Sequence, residues 1–285
     1  PFEAALLEGY RFAGNSIGCD MEFGVCFKCE LSPKRLRSLV RQLEAGGFDY
    51  CWFYDSHILW RDCYVAMAMC KEHTSRIRFG PCVTNPGVRE WSVAASLFAA
   101  LALQSEGRFD IGLGRGDSSL RVMGKRPANL KSMVEFGQQV KAMVRGEEAT
   151  YPDCPSSVKF PWAAGHDLPL WIAAYGPKAL KSAGEYGDGL ILQIAEPEIC
   201  RWLAVQARLA GEARGRNMSD YRVMAAAPAF VGPMDVCIEK TRWFPAMVGN
   251  HIAEIVERYG EDSDVLPKAL SAYVKNRRGY DYSCL

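Results

Sequence analysis

Short apolar segments alternate with longer helical ones along most of this chain, and that alternation limits what it can fold into more than any other feature. "MEFGVCF" (21–27) precedes a helical pattern that opens at Pro33, sets Leu36, Leu39, Val40 and Leu43 on one face and stops at Gly46 and Gly47; proline suits a first turn and glycine an end. Further strands read at "YCWFYD" (50–55), "RIRFG" (76–80), "RFDIGLG" (108–114), "LPLWIAA" (168–174), "DGLILQ" (188–193) and "YRVMAAAPAF" (221–230). Helical stretches near 62–73, 89–104, 127–145, 177–186 and 196–213 separate them. The strands are continuous apolar runs, the pattern of a parallel sheet buried on both faces under helices.

An open doubly wound sheet and a (β/α)8 TIM barrel both satisfy this pattern. A dinucleotide fold places its G-x-G-x-x-G after the first strand, whereas here the glycines of "GLGRGDS" follow the fourth. The barrel is therefore expected, with all strand ends facing one mouth. Residues 1–20 read as an N-terminal extension and 21–285 as a single domain. "YPDCPSSVKFPWAAGHD" (151–167) reads as a loop, and the tail offers helices near 251–259 and 266–276 but no good eighth strand.

Composition removes several function classes. With 34 basic against 33 acidic residues the chain has no field for nucleic acid or an anionic membrane. No apolar run reaches membrane-spanning length, and a cytoplasmic protein is expected. The 11 cysteines include one close pair, Cys26 and Cys29, with no second pair nearby to complete a zinc site. Reduced thiols acting as small hydrophobes are the simpler reading, and no metal is expected.

The strand ends carry the candidate chemistry. Asp55 and His57 follow the second strand; Asp55 could cap the next segment, or the pair could serve proton transfer, since histidine titrates near neutrality. Thr84 and Asn85 follow the third, where Asn-Pro is a common turn but an amide also offers a donor and an acceptor to a heterocycle. Gly114 and Gly116 form either a tight turn or one wall of a ligand cradle, with Asp117 beside them. In "AAYGPK", Gly176 permits a turn and Pro177 opens a helix whose free amides can hold a phosphate.

"GFDYCWFYDSH", "RIRFGPCVTNP", "GRFDIGLGRGDS" and "LPLWIAAYGPKALKSAGEYGDGLILQ", in that order, resemble the bacterial-luciferase-like superfamily, especially the branch near methylenetetrahydromethanopterin reductase. The resemblance runs from Met21 to Gln193 and loosens beyond. It implies a (β/α)8 barrel that binds FMN or the deazaflavin F420 at its C-terminal mouth, often as a homodimer or higher homo-oligomer. It implies catalytic roles for Asp55, His57 and Asp117 and a non-prolyl cis peptide between Cys82 and Val83 beneath the ring. Thr84 and Asn85 would lie beside the cofactor, and Ala174, Tyr175, Gly176 and Pro177 would form the phosphate turn.

The resemblance leaves three functions open. The first expectation is a monooxygenase that takes reduced FMN from a separate flavin reductase and uses oxygen on a small cyclic or apolar substrate. The alternative is an F420-dependent oxidoreductase that moves a hydride without oxygen. A barrel that binds flavin without catalysis is the third.

Overall fold

The computed structural model describes residues 21–151, 155–245, 248–249, 251–252 and 255. The chain forms two compact units, one reaching to Trp171 and the other beginning at Ile172.

In the first unit, strands β1 (Gly24–Phe27), β2 (Tyr50–Phe53) and β3 (Arg78–Pro81) lie in parallel in the order β1-β2-β3, with Cys26 opposite Trp52 and Trp52 opposite Gly80. Bridges from Phe79 to Phe109 and from Thr84 to Leu113 bring β4 (Ile111–Leu113) alongside. Helices α1 (Pro33–Ala45), α2 (Cys63–Lys71), α3 (Trp91–Gln104), α4 (Asp117–Arg121) and α5 (Leu130–Val144) connect and follow these strands. α1 forms where the sequence places it: Ser32 accepts from the Arg35 amide, Pro33 fills the first turn, and Leu36, Val40 and Leu43 are buried on one stripe.

Alternation along the strands divides their side chains between two faces. Phe27 and Phe53 meet at 5.7 Å on one. On the other, Tyr50 stacks on Trp52 at 5.3 Å and Trp171 meets both edge-on, at 6.3 and 5.9 Å. Each indole buries about 200 Å², worth on the order of 5 kcal/mol. Room for them comes from Gly80, where a Cβ would lie 2.6 Å from the Trp52 ring and 2.5 Å from the Asp110 carbonyl. Below the indoles the fully buried Asp110 takes the Arg78 guanidinium and, at 2.8 Å, the Trp171 Nε1–H. A buried carboxylate stands only with such partners.

Glu44, near the end of α1, closes the turn before β3. Its carboxylate accepts from the Ser75, Arg76 and Ile77 amides, each at 2.8 Å, and from the Ser75 hydroxyl at 3.1 Å. Burial opposes its ionisation, but these donors outweigh that and hold its pKa below the ordinary value of 4.5. A depressed carboxyl stabilises the fold above its unfolded pKa, and the contribution disappears as pH falls through the folded one. Glu44→Gln is expected to cost about 1–3 kcal/mol at neutral pH. The gap between wild type and variant in urea unfolding should narrow as the pH falls below 4.5; a gap that stays constant with pH refutes the assignment.

In the second unit, β8 (Gly189–Leu192) pairs in parallel with β9 (Arg222–Ala225). Helices α6 (Pro177–Tyr186) and α7 (Pro197–Ala213) pack at Gly184, where a Cβ would lie 1.9 Å from the Ala207 carbonyl oxygen. β7 (Leu170–Ala173) is divided, its first half in one unit and its second half in the other.

The structure corrects the sequence reading in three places. The loop expected over 151–167 contains one arm of a small antiparallel hairpin, β5 (Ala149–Thr150) with β6 (Ser157–Val158); strands this short have no periodicity to read. The short helix α4 and the helix α8 (Met234–Thr241) were not anticipated, the first because a single turn shows no repeat. Residues 1–20, 266–276 and most of 251–259 lie outside the described residues. Among the described residues no helix is long and apolar enough to cross a membrane.

Candidate functional site

Asp55, just past β2, is buried and is the hub of the first unit's strand ends. Its Oδ2 accepts from the Tyr64 hydroxyl and the Thr84 hydroxyl, both at 2.8 Å, and from Arg89 NH1 at 2.9 Å. Arg89 also reaches Asp62 at 2.8 Å and lies over the Tyr64 ring at 4.4 Å. Asp62 in turn caps α2 by accepting from the Tyr64 and Val65 amides. Burial, reinforced by the Asp55 charge, pushes the Tyr64 phenol up, so it stays a donor. The hub thus ties the loop after β2, the start of α2 and the loop after β3 into one assembly. Asp55 holds these elements together through its three donors.

The loop after β3 contains the cis peptide Cys82–Val83 and then Thr84, which is fully buried. Asn85 is fully buried too, and its amide is used within the protein: Nδ2 donates to Ser119 Oγ at 2.8 Å and Oδ1 accepts from the Gly87 amide at 3.0 Å. Gly116 packs against that amide; it has φ 83°, and a Cβ there would stand 2.5 Å from Asn85 Cγ. Both the left-handed backbone and the close approach require glycine. Gly114 is buried at the end of β4. Asp117 is half-exposed in the first turn of α4 and pairs with Arg121 at 3.2 Å.

His57 is exposed in the turn that follows Ser56, with Ile58 and Leu59 exposed after it. Arg61 fastens this turn to the loop after β1 by donating to the carbonyls of Cys29, Glu30 and Leu31, and Trp60 donates to Glu30 at 3.1 Å. Tyr54 and Trp60 meet at 5.3 Å. The rim is an imidazole beside apolar side chains, able to pass a proton and to contact an apolar substrate.

In the second unit, Ala174 and Gly176 are buried and Tyr175 is half-buried. The Tyr175 hydroxyl accepts from the Gln193 amide at 2.9 Å, and its ring stacks on His251 at 4.0 Å. α6 starts at Pro177 with Gly176 before it and no side-chain cap, whereas α1, α2, α3, α5 and α7 are capped by Ser32, Asp62, Glu90, Asn129 and Glu196. α4 and α8 also lack a side-chain cap, but of the uncapped helices α6 is the one whose start the sequence marks as an anion turn, and its first amides can serve an outside acceptor such as a phosphate. Among the described residues no group of three or more His, Cys, Asp or Glu is arranged to hold a metal.

Sequence reasoning named Asp55, Thr84, Asn85 and Gly116, which the fold brings together, but missed Tyr64, Ser119 and the role of Arg89. Arg89 stands 34 residues from Asp55 in the chain, so no local spacing pairs them.

A parallel sheet with helices between its strands and polar groups gathered at the strand ends define an α/β scaffold with its candidate site at the strand ends. The chain belongs to the luciferase-like monooxygenase family, whose model matches residues 21–275, and its fold class is that family's (β/α)8 barrel. It is 26% identical over 283 residues to the 5,10-methylenetetrahydromethanopterin reductase of Methanopyrus kandleri, covering 91% of this chain and 81% of that one. The Methanolobus tindarius reductase is 28% identical over 214 residues, 73% of this chain but 64% of the relative, so the chain spans less than two thirds of that protein's length. The solved coenzyme F420-dependent tetrahydromethanopterin reductase from Methanopyrus kandleri superposes with a TM-score of 0.73 at 24% identity, covering 86% of this chain and 77% of that one. A solved monooxygenase from Streptomyces bottropensis and the FMN-bound oxygenating constituent of the Pseudomonas putida 3,6-diketocamphane monooxygenase share the fold more distantly, each with a TM-score of 0.62.

Proposed function

We propose that this chain is an F420-dependent oxidoreductase that transfers a hydride to or from a small organic substrate without oxygen. The likeness to the Methanopyrus kandleri reductase over 91% of the chain carries this reading and favours it over the expectation of an FMN monooxygenase fed by a flavin reductase. F420, when bound, supplies or accepts the hydride at its deazaflavin ring.

The chain's own residues have distinct tasks in this reading. Asp55, through Thr84 and Arg89, fixes the loop after β3 against which a planar ring lies. His57, exposed at the rim, moves the proton that accompanies the hydride. Asp117, held by Arg121, sets the charge beside the turn after β4. In the second unit the uncapped start of α6 at Gly176 and Pro177 takes a phosphate of the cofactor. A polar rim with Ile58 and Leu59 exposed suits a substrate that is partly apolar.

Parallel titrations test the assignment. The purified chain is expected to bind F420, seen as a change in the cofactor's fluorescence, and to oxidise reduced F420 anaerobically when a library of cyclic and carbonyl substrates is supplied. Oxygenated product from reduced FMN and oxygen, with no response to F420, would return the monooxygenase reading. Binding of either cofactor without turnover across the library would favour the non-catalytic barrel.

A further inference from the structure

One charge at the rim of the first unit is unanswered. The acids nearby are engaged: Arg89 meets Asp55 and Asp62, and Glu30 accepts the Trp60 indole N–H at 3.1 Å. Lys28, the first residue past β1, is exposed, and among the described residues no carboxylate pairs with it. Its ammonium stands instead 5.7 Å from the centre of the Trp60 ring, a cation–π contact. That ring is held from several sides. Tyr54 lies 5.3 Å from it, and the Trp60 amide donates to the Ser56 carbonyl at 2.9 Å. Arg61, next in the chain, ties the turn to the loop of Lys28 by donating to the Cys29 and Leu31 carbonyls at 2.9 and 3.0 Å. Lys28 and Trp60 thus come from different strand ends and are fixed against each other. The result is a cation over an anchored aromatic face, which His57 and the exposed Ile58 and Leu59 directly precede in the chain.

We propose that Lys28 is a specificity-determining residue that selects substrates bearing a carboxylate, so that the substrate class is a partly apolar oxo acid or the matching hydroxy acid. The inference rests on the hydride-transfer reading above. An ammonium has three donors and no acceptor; the ring face meets it from one side, and the remaining donors are left for an anion. The apolar part of the substrate would lie along Ile58, Leu59 and the Trp60 ring, with its carboxylate on Lys28. In the reducing direction the carbonyl π bond breaks as its carbon gains the hydride and its oxygen gains the proton that His57 moves, giving a hydroxyl. Reduced F420 is the two-electron donor, and the carboxylate undergoes no bond change. Lys28 therefore acts in binding, apart from the chemistry.

The test compares 4-oxo-4-phenylbutanoate with its methyl ester on the full chain, by calorimetric titration with and without F420 and by anaerobic turnover with reduced F420. The acid is expected to bind more tightly than the ester, and added salt should weaken the acid more than the ester. Lys28→Gln should weaken the acid about 5-fold, the scale of an exposed ion pair at its stronger end, and Lys28→Arg should restore the preference. In turnover, Lys28→Gln should raise KM for the acid more than it changes kcat, and shift the ester less than the acid. Equal binding of acid and ester by the wild-type chain, failure of the acid to bind, or a preference that survives Lys28→Gln each overturns the assignment. The two readings separate cleanly. A preference for the acid that depends on Lys28, with no response to F420, keeps the role of Lys28 and counts against the cofactor; F420-linked turnover of acid and ester alike keeps the cofactor and overturns Lys28.

Discussion

Asp55→Ala should lower the unfolding free energy by about 3 kcal/mol, toward the lower end of the 3–5 kcal/mol typical of breaking a buried ion pair. The loss comes mainly from what is left behind. Arg89 would remain mostly buried with only Asp62 to meet it, and the Tyr64 and Thr84 hydroxyls would both lose their acceptor. Asp55→Asn keeps an oxygen of similar shape for one of those donors but removes the charge, so its cost should be smaller, about 1–3 kcal/mol. Urea unfolding of the two variants checks the order. If both unfold like wild type, the Arg89 hub does not hold the loops, and the positioning role assigned to Asp55 falls with it.

Gly184→Val is the second large effect, and its cause is steric. At 1.9 Å from the Ala207 carbonyl oxygen a Cβ has no rotamer to escape through, because the obstacle is backbone. α6 and α7 must separate, giving up contacts along their length, at a cost of about 3 kcal/mol or more. Gly215→Ala is the matched comparison. Its φ of 78° disfavours a side chain, but nothing lies within 4 Å of the added atom, so about 1 kcal/mol is expected from backbone strain alone. Thermal unfolding should therefore separate the two by several degrees. Equal effects would mean that the helices yield freely at Gly184.

The strand and helix order was legible because it rests on local patterns: apolar runs, the Pro33 start, the Gly46 stop. Glycine positions were legible as special, though not for the right reason at every site. Gly116 suggests a ligand cradle in sequence, and in the structure the space above it is filled by Asn85. The hub around Asp55 was half legible. Asp55 and Thr84 stand at strand ends, where a barrel gathers function, but Tyr64 enters from α2 and Arg89 from the loop before α3, and both are paired with Asp55 only by the fold. Asn85 shows the same limit in reverse. An amide can serve a ligand or its own loops equally well, and its bonds to Ser119 and Gly87 come only from the fold.

That use of Asn85 has a consequence for how the protein ages. Deamidation of Asn85 would turn the donor facing Ser119 into an acceptor. The usual route needs the next residue's backbone nitrogen to attack the side-chain amide and close a succinimide ring. Here the next residue is Pro86, whose nitrogen carries no hydrogen to lose. The Asn-Pro pair that reads in sequence as an ordinary turn therefore also shields the amide between the third and fourth strands from the commonest chemical wear of asparagine.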